Sequence, residues 1–300
     1  MKFDNIHLII NPQSGNKLPN LSCLDNNAFC KENNLHIHYS SKDEDLFSIA
    51  TGLVGKNDLI AIYGGDGSIS DVARALYGQV NNTLGIIPGG TANVISKELG
   101  IPQDPEEALA LLINGNSEIM AMDMGLVNGS PFLLRVNLGI MADMVITADP
   151  ELKDNFGQLA YGISALESTW NAEPIIFKMI IDGEVINESG VTLTITNAGN
   201  IGIGDFSILP GISVKDGFLD VVLMIDTDIL SLLRIAGSTL FQTESDVLKH
   251  WKCKEILLQL LNPLKFICDD IEKEAETLHI KVVPSALDVL VPVKNQSDEN

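Results

Sequence analysis

Apolar residues in the first part of the chain come in short runs, each closed by glycine, proline or asparagine. Residues 6–10 end at Asn11-Pro12, residues 59–63 (Leu-Ile-Ala-Ile-Tyr) stop at Gly64-Gly65, and residues 84–87 close at Pro88-Gly89-Gly90. Runs of this length predict strands, and the unbroken apolar character of 59–63 and 84–87 predicts burial on both faces. Residues 35–39 form a further strand candidate. Ile69, Val72, Ala73 and Leu76 follow helical spacing, and residues 92–99 predict a helix stopped by Gly100. Asp104-Pro105-Glu106-Glu107 supplies an N-cap, a proline at the first helical position and a capping acid, which opens a helix running to residue 114. Strands alternating with helices predict a mostly parallel sheet.

The texture changes near residue 120. Short apolar segments at 132–136, 175–181, 191–196, 219–225, 256–261 and 278–283 are separated by Gly, Asn, Asp and Pro. Asp182-Gly183 between two such segments is a hairpin signal. The expected result is a second, antiparallel, β-rich domain, interrupted by helical patches at 158–169 and 229–240 and followed by a polar, frayed tail at 295–300.

Composition narrows the class. Of 300 residues, 19 are Lys or Arg and 40 are Asp or Glu, a formal charge of −21. That field repels a phosphate backbone, so nucleic acid is excluded as a general partner. The four cysteines form no Cys-x-x-Cys pair, which argues against disulfide and zinc frameworks. Asp4 stands where a signal peptide would be apolar, and no stretch approaches the ~20 apolar residues of a membrane span. The reading is a cytoplasmic protein whose membrane contact is peripheral and transient.

Three loops carry the candidate chemistry: Asn11-Pro12-Gln13-Ser14-Gly15, Gly64-Gly65-Asp66-Gly67-Ser68 and Gly89-Gly90-Thr91-Ala92-Asn93. Each follows a strand, and in an open α/β sheet such loops share the crevice where ligands bind. Glycine lets backbone N–H groups approach a ligand, and a following helix points its N-terminus at the same place, which favours phosphate. Asp66 reads either as an N-cap or as the holder of a Mg²⁺ carried by a nucleotide triphosphate, since magnesium takes one or two carboxylates plus phosphate oxygens. Neither a Gly-x-x-x-x-Gly-Lys-Ser/Thr stretch nor a Gly-x-Gly-x-x-Gly after the first strand is present.

In this order, Asn11-Pro12-x-Ser14-Gly15, Gly64-Gly65-Asp66-Gly67-Ser68 and Pro88-x-Gly90-Thr91-x-Asn93 resemble the diacylglycerol kinase and sphingosine kinase superfamily of lipid kinases, its soluble bacterial members above all. Asp123-Met124-Gly125, Asn137-Leu138-Gly139-Ile140, Lys215-Asp216-Gly217-Phe218-Leu219-Asp220 and the closing stretch from Val282 to Pro292 agree with it. The resemblance implies an α/β nucleotide-binding domain over 1–120 plus 285–300 and a β-rich, sandwich-like lipid-substrate domain over 121–284. It implies ATP and Mg²⁺ as cofactors and a lipid alcohol as acceptor, and it leaves room for a homodimer.

Residue by residue, the resemblance has Asn11, Ser14 and Gly15 lining the nucleotide and Gly65, Asp66, Gly67 and Ser68 cradling phosphate and Mg²⁺. Gly90, Thr91 and Asn93 complete the cleft. Position alone, at the nucleotide side of the second strand, makes Ser40 and Ser41 candidates to touch base or ribose. Asp216, with the carbonyl of Leu219, resembles a second-domain structural Mg²⁺ site; the alternative is a plain Asp-Gly turn. The family's catalytic base lies in an Asp-Gly-Glu turn, from which Cys268-Asp269-Asp270-Ile271-Glu272 departs. Asp269 as base puts Asp270 at the glycine position, where a left-handed conformation is expected and aspartate tolerates it. Asp270 as base puts Ile271 there, and a β-branched residue is strained. Asp269 is the preferred base and Asp270 the other candidate.

The leading expectation is an ATP-dependent lipid kinase acting on a diacylglycerol-like or sphingoid-like alcohol. The alternatives are a NAD kinase-like enzyme, since that family also uses a Gly-Gly-Asp-Gly loop, and a nucleotide- or lipid-binding protein without turnover. Arg74 could reach a phosphate or lie on the surface, and Arg135, flanked by apolar residues, reads as a paired buried cation. His36 and His38 share a strand face but lack a third ligand nearby in sequence.

Overall fold

The computed structural model describes residues 3–12, 24, 26–55, 58–79, 81–140, 142, 173–199, 211–226 and 248–293. Ser14, Gly15, the helical patches at 158–169 and 229–240 and the tail lie outside them. The chain divides into two compact units, residues 1–122 with 285–300, and residues 123–284.

In the first unit β1 (Ile6–Ile10), α1 (Asn27–Glu32), β2 (Leu35–Tyr39), α2 (Leu46–Leu53), β3 (Leu59–Gly64), α3 (Asp66–Leu76), β4 (Thr83–Pro88), α4 (Val94–Glu98) and α5 (Pro105–Asn114) follow in order. The strands lie side by side as β4-β3-β1-β2, all parallel. β1, β3 and β4 are buried at every position, as the apolar runs of β3 and β4 predict; in β1 the burial includes His7. α5 starts where expected: the Asp104 carboxylate accepts from the N–H groups of Glu106 and Glu107, and Pro105 takes the first turn. α2 escapes the periodicity reading, although Asp45 caps it by accepting from the Ser48 N–H, a bond that holds the Asp45 carboxyl below its ordinary range.

The second unit is antiparallel. Strands β6 (Ser130–Phe132), β7 (Arg135–Gly139), β8 (Ile175–Ile181), β9 (Glu184–Gly190), β10 (Thr192–Thr196), β11 (Leu219–Met224), β12 (Leu248–Cys253) and β13 (Glu255–Cys268) belong to it. β5 (Ser117–Val127) and β14 (Ile271–Pro292) each run across the division at residues 122/123 and 284/285. The order is β12-β11-β10-β7-β13, with β13 pairing β8 and the first half of β14. Asp288 and Val289, late in β14, pair Thr83 and Leu84 of β4 in parallel, so the closing segment returns to the first sheet. Asp182 (φ 47°) and Gly183 (φ 92°) make the β8–β9 hairpin.

One expected strand is broken. The apolar segment at 132–136 is divided between β6 and β7 by Leu133 and Leu134, whose N–H groups bond a side chain instead of a neighbouring strand. β13 and β14 are far longer than their apolar kernels, because alternation with charged residues continues the ladder on a solvated face. β9 and β12 escape the sequence reading for the same reason, being half polar.

The core of this unit gathers Phe132, Phe177, Leu193, Val221 and Ile256. Phe132 is fully buried and lies opposite Gly125 in the β5–β6 pair. A Cβ on Gly125 would come within 2.0 Å of the Phe132 ring, so the ring occupies the space a side chain would need. Gly125→Ala is therefore expected to lower stability by about 1–3 kcal/mol through overpacking, read as a fall in the urea midpoint; an unchanged midpoint would contradict the packing described.

Candidate functional site

The loops after β1, β3 and β4 meet at one edge of the first sheet, because parallel strands end on the same side. The Asn11 side-chain amide donates to Ser68 Oγ at 2.9 Å, joining the first loop to the second. Gly89 N–H donates to the Gly64 carbonyl at 2.9 Å, joining the second to the third. Gly65 and Gly90 touch through their backbones: a Cβ on Gly90 would lie 2.6 Å from the Gly65 Cα. Gly89 rests on the Tyr63 ring, where a Cβ would come to 2.7 Å.

The glycines thus answer a steric demand. Gly65 is the N-cap of α3 and offers no side-chain acceptor, so the first N–H groups of that helix keep their bonding capacity for a ligand. Asn93, in a left-handed conformation (φ 50°), accepts from the Gly90 N–H at 2.9 Å and shapes the third loop. Thr91 is exposed at its tip. Gly67 is half-buried on the first turn of α3. Ser40 follows β2 beside the end of β1, its N–H donating to the Ile10 carbonyl at 3.0 Å.

Asp66 takes the first of the two roles left open by the sequence, and in an unexpected way. It caps a helix, but not its own: Oδ1 accepts from the Ile95 N–H of α4 at 3.0 Å. Oδ2 remains on a half-buried residue at the head of α3, able to meet a cation whose other ligands are phosphate oxygens. Among the described residues no group of three or more His, Cys, Asp or Glu side chains is arranged to hold a metal ion by itself.

Arg74 is half-buried and bound to Asp71 one turn back on α3. The histidines on β2 gain a neighbour that sequence distance hid. His7 on β1 stacks on His36 with ring centroids 5.0 Å apart, and its Nδ1 lies 3.1 Å from His38 Nε2. Its Nε2 faces the Asp58 carboxylate at 3.3 Å.

In the second unit, Asp269 and Asp270 form the two-residue turn between β13 and β14. The left-handed conformation expected at Asp270 falls instead on Asp269 (φ 51°). The reason is local. Asp269 Oδ2 accepts from the Leu133 N–H at 2.8 Å, and Oδ1 accepts from Leu134 and Arg135 at 2.8 and 3.0 Å. The Asp269 N–H returns a bond to the Arg135 carbonyl at 2.8 Å. Four bonds to one segment outweigh the modest cost of a left-handed aspartate. Asp269 is half-buried, Asp270 exposed, and Arg135 buried beside them.

Asp216 precedes β11, which begins at Leu219. Its Oδ1 accepts from the Phe218 N–H at 3.1 Å, as in an Asx turn, and its Oδ2 lies 2.5 Å from the Lys252 ammonium. That bond to Asp216 raises the Lys252 pKa, with Asp220 adding to it. Asp220 is fully buried, and its Oδ1 lies 2.6 Å from His250 Nε2. Asp123, also buried, accepts from the Gly217 N–H at 2.6 Å and fixes the Asp216 turn. Lys252, His250 and the structural part of Asp123 escape the sequence reading, because only the antiparallel pairing of β11 with β12 brings 250 and 252 beside 216–220.

The comparisons agree with both halves of the molecule. Residues 5–127 match the model of the diacylglycerol kinase catalytic domain, and residues 135–291 match that of the YegS C-terminal NAD kinase beta sandwich-like domain. The chain is 31% identical to the diacylglycerol kinase of Bacillus subtilis over 61% of its length and 60% of that protein's. It is 30% identical to a Citrobacter koseri protein named "Probable lipid kinase YegS-like", over 76% of each. The crystal structure of a diacylglycerol kinase from Bacillus anthracis str. Sterne superposes with a TM-score of 0.81 at 26% identity, covering 99% of both chains. The NAD kinase of Archaeoglobus fulgidus shares the fold alone, at 10% identity and a TM-score of 0.53.

The geometry separates the two acids of the β13–β14 turn. Asp269→Ala strands three backbone donors and is expected to cost about 2 kcal/mol or more, more than Asp270→Ala, whose exposed carboxylate takes none of these three bonds. Urea denaturation of the two variants checks this, and equal midpoints would contradict it.

Proposed function

The chain belongs to the family of diacylglycerol kinase-like lipid kinases, and from that premise we propose that it transfers the γ-phosphoryl group of Mg-ATP to the hydroxyl of a lipid alcohol, diacylglycerol-like or sphingoid-like. The observation that carries the reading is the contact of Gly65 with Gly90, which keeps side chains away from the head of α3 at the strand ends. A triphosphate is the ligand that such a concentration of N–H groups suits. Asn11, Ser14, Gly15 and Ser40 would surround the nucleoside, while Gly65, Gly67, Ser68, Gly90, Thr91 and Asn93 would hold the phosphates. Asp66 Oδ2 would meet the Mg²⁺ that the nucleotide brings, spreading charge on the transferred group.

Asp269 is the proposed base. A carboxylate has about four lone-pair sites, and three are taken by the N–H groups of Leu133, Leu134 and Arg135. The remaining one, on Oδ2, would accept the hydroxyl proton as the oxygen attacks the γ-phosphorus and ADP leaves. The same three bonds hold the carboxylate in one orientation, which is what a general base requires. Asp270, exposed next to it, is the alternative acceptor. Membrane contact would be brief and apolar, given the acidic surface; no helix among the described residues is long and apolar enough to span a bilayer.

ADP release across dispersed diacylglycerol, monoacylglycerol, sphingosine and NAD tests the reading. Turnover is expected with one of the lipids and none with NAD. Asp269→Asn should lower turnover by about 10²-fold or more with ATP binding preserved, and Asp66→Asn should weaken binding of Mg-ATP. Phosphorylation of NAD, or ATP binding with no acceptor consumed, would instead select one of the rival readings.

A further inference from the structure

Sequence resemblance places a structural divalent cation beside Asp216 and Leu219, but the side chains there do not fit one. Asp216 Oδ1 is taken by the Phe218 N–H, and Oδ2 by the Lys252 ammonium at 2.5 Å. The same ammonium reaches the Gly211 carbonyl oxygen at 3.4 Å. A carboxylate oxygen and a main-chain carbonyl are the kinds of oxygen a hard divalent cation would bind. Here a cation already attached to the chain stands between them. Magnesium is held by one or two carboxylates together with other oxygens and waters at about 2.0–2.1 Å, and with the Phe218 N–H on Oδ1 and the ammonium on Oδ2 the one carboxylate here is already engaged.

We propose that Lys252 is a built-in substitute for the divalent ion, so that the turn before β11 is tied to β12 by an internal ion pair and the second domain needs no metal. The topology favours the exchange. β12 ends the strand order of this domain, and Lys252 lies opposite Asp220 in its pairing with β11. A long side chain from that position spans to the Asp216 turn, which Asp123 anchors from the other side through the Gly217 N–H. Asp220, with its charge fully buried, adds a second negative group near the ammonium and is itself paired with His250. The inference concerns this domain alone and stands or falls independently of the kinase reading.

Manganese(II) binding, followed by electron paramagnetic resonance on the full chain without nucleotide, tests it. The unaltered protein is expected to bind no Mn²⁺ at this place, and its melting temperature should be the same in Mg²⁺ as in EDTA. Lys252→Met removes the ammonium and should acquire one bound Mn²⁺ together with a rise in melting temperature on adding Mg²⁺, about 3 °C. Lys252→Arg should behave like the unaltered chain. A bound Mn²⁺ in the unaltered protein that Asp216→Asn abolishes and Asp66→Asn does not would overturn the proposal. So would a folded Lys252→Met variant that takes up none. If Lys252→Met does not fold, the comparison of the unaltered chain with Asp216→Asn decides alone.

Discussion

Two stretches of main chain, at Gly65 and Gly90, approach so closely that a single methyl group on Gly90 would overlap the backbone opposite. The rest of the first domain is arranged around that approach. It sets the separation of the loops after β3 and β4, and the bond from Gly89 to Gly64 and the bond from Ile95 to Asp66 depend on it. It also explains why Asp66 can cap a helix other than its own, since α4 is drawn against the head of α3. Backbone donors can crowd round an anion only where no side chain intervenes. The glycines therefore shape this edge of the sheet as much as the carboxylate does.

The second domain solves a different problem by similar means. Its turns are fixed by carboxylates that accept main-chain N–H groups: Asp269 from 133–135, Asp123 from Gly217, and Asp182 from Lys254 and Glu255. Charge-assisted bonds of this kind are stronger than neutral ones and directional. A chain carrying 40 acids against 19 bases thus spends part of its excess negative charge as turn-forming hardware. Each such aspartate reaches a segment distant in sequence, which makes the antiparallel ladders specific as well as stable.

The parallel half was readable because its strands are buried on both faces. Leu59–Gly64 and Thr83–Pro88 show no polar interruption, and glycine marks their ends. The loops after β3 and β4 were readable for the same reason, since a demand for absent side chains leaves glycine in the text. The antiparallel half resisted. Glu184–Gly190 and Leu248–Cys253 alternate polar and apolar residues too weakly to stand out, and pairing with neighbours makes them strands. Lys252 and His250 carry no local signal at all; their meaning arises from register with β11. The division of 132–136 into two strands depends on Asp269, more than 130 residues away, whose bonds no window of sequence can display.

The β13–β14 turn bears on how such a hairpin can drift over generations. Its only left-handed residue is Asp269, and the position after it has an ordinary backbone conformation. Glycine at 270 is then a permitted choice and not a conformational necessity. Replacement of Asp269 would unpick a distant loop as well. A literal search for Asp-Gly-Glu would pass over a turn held in this way.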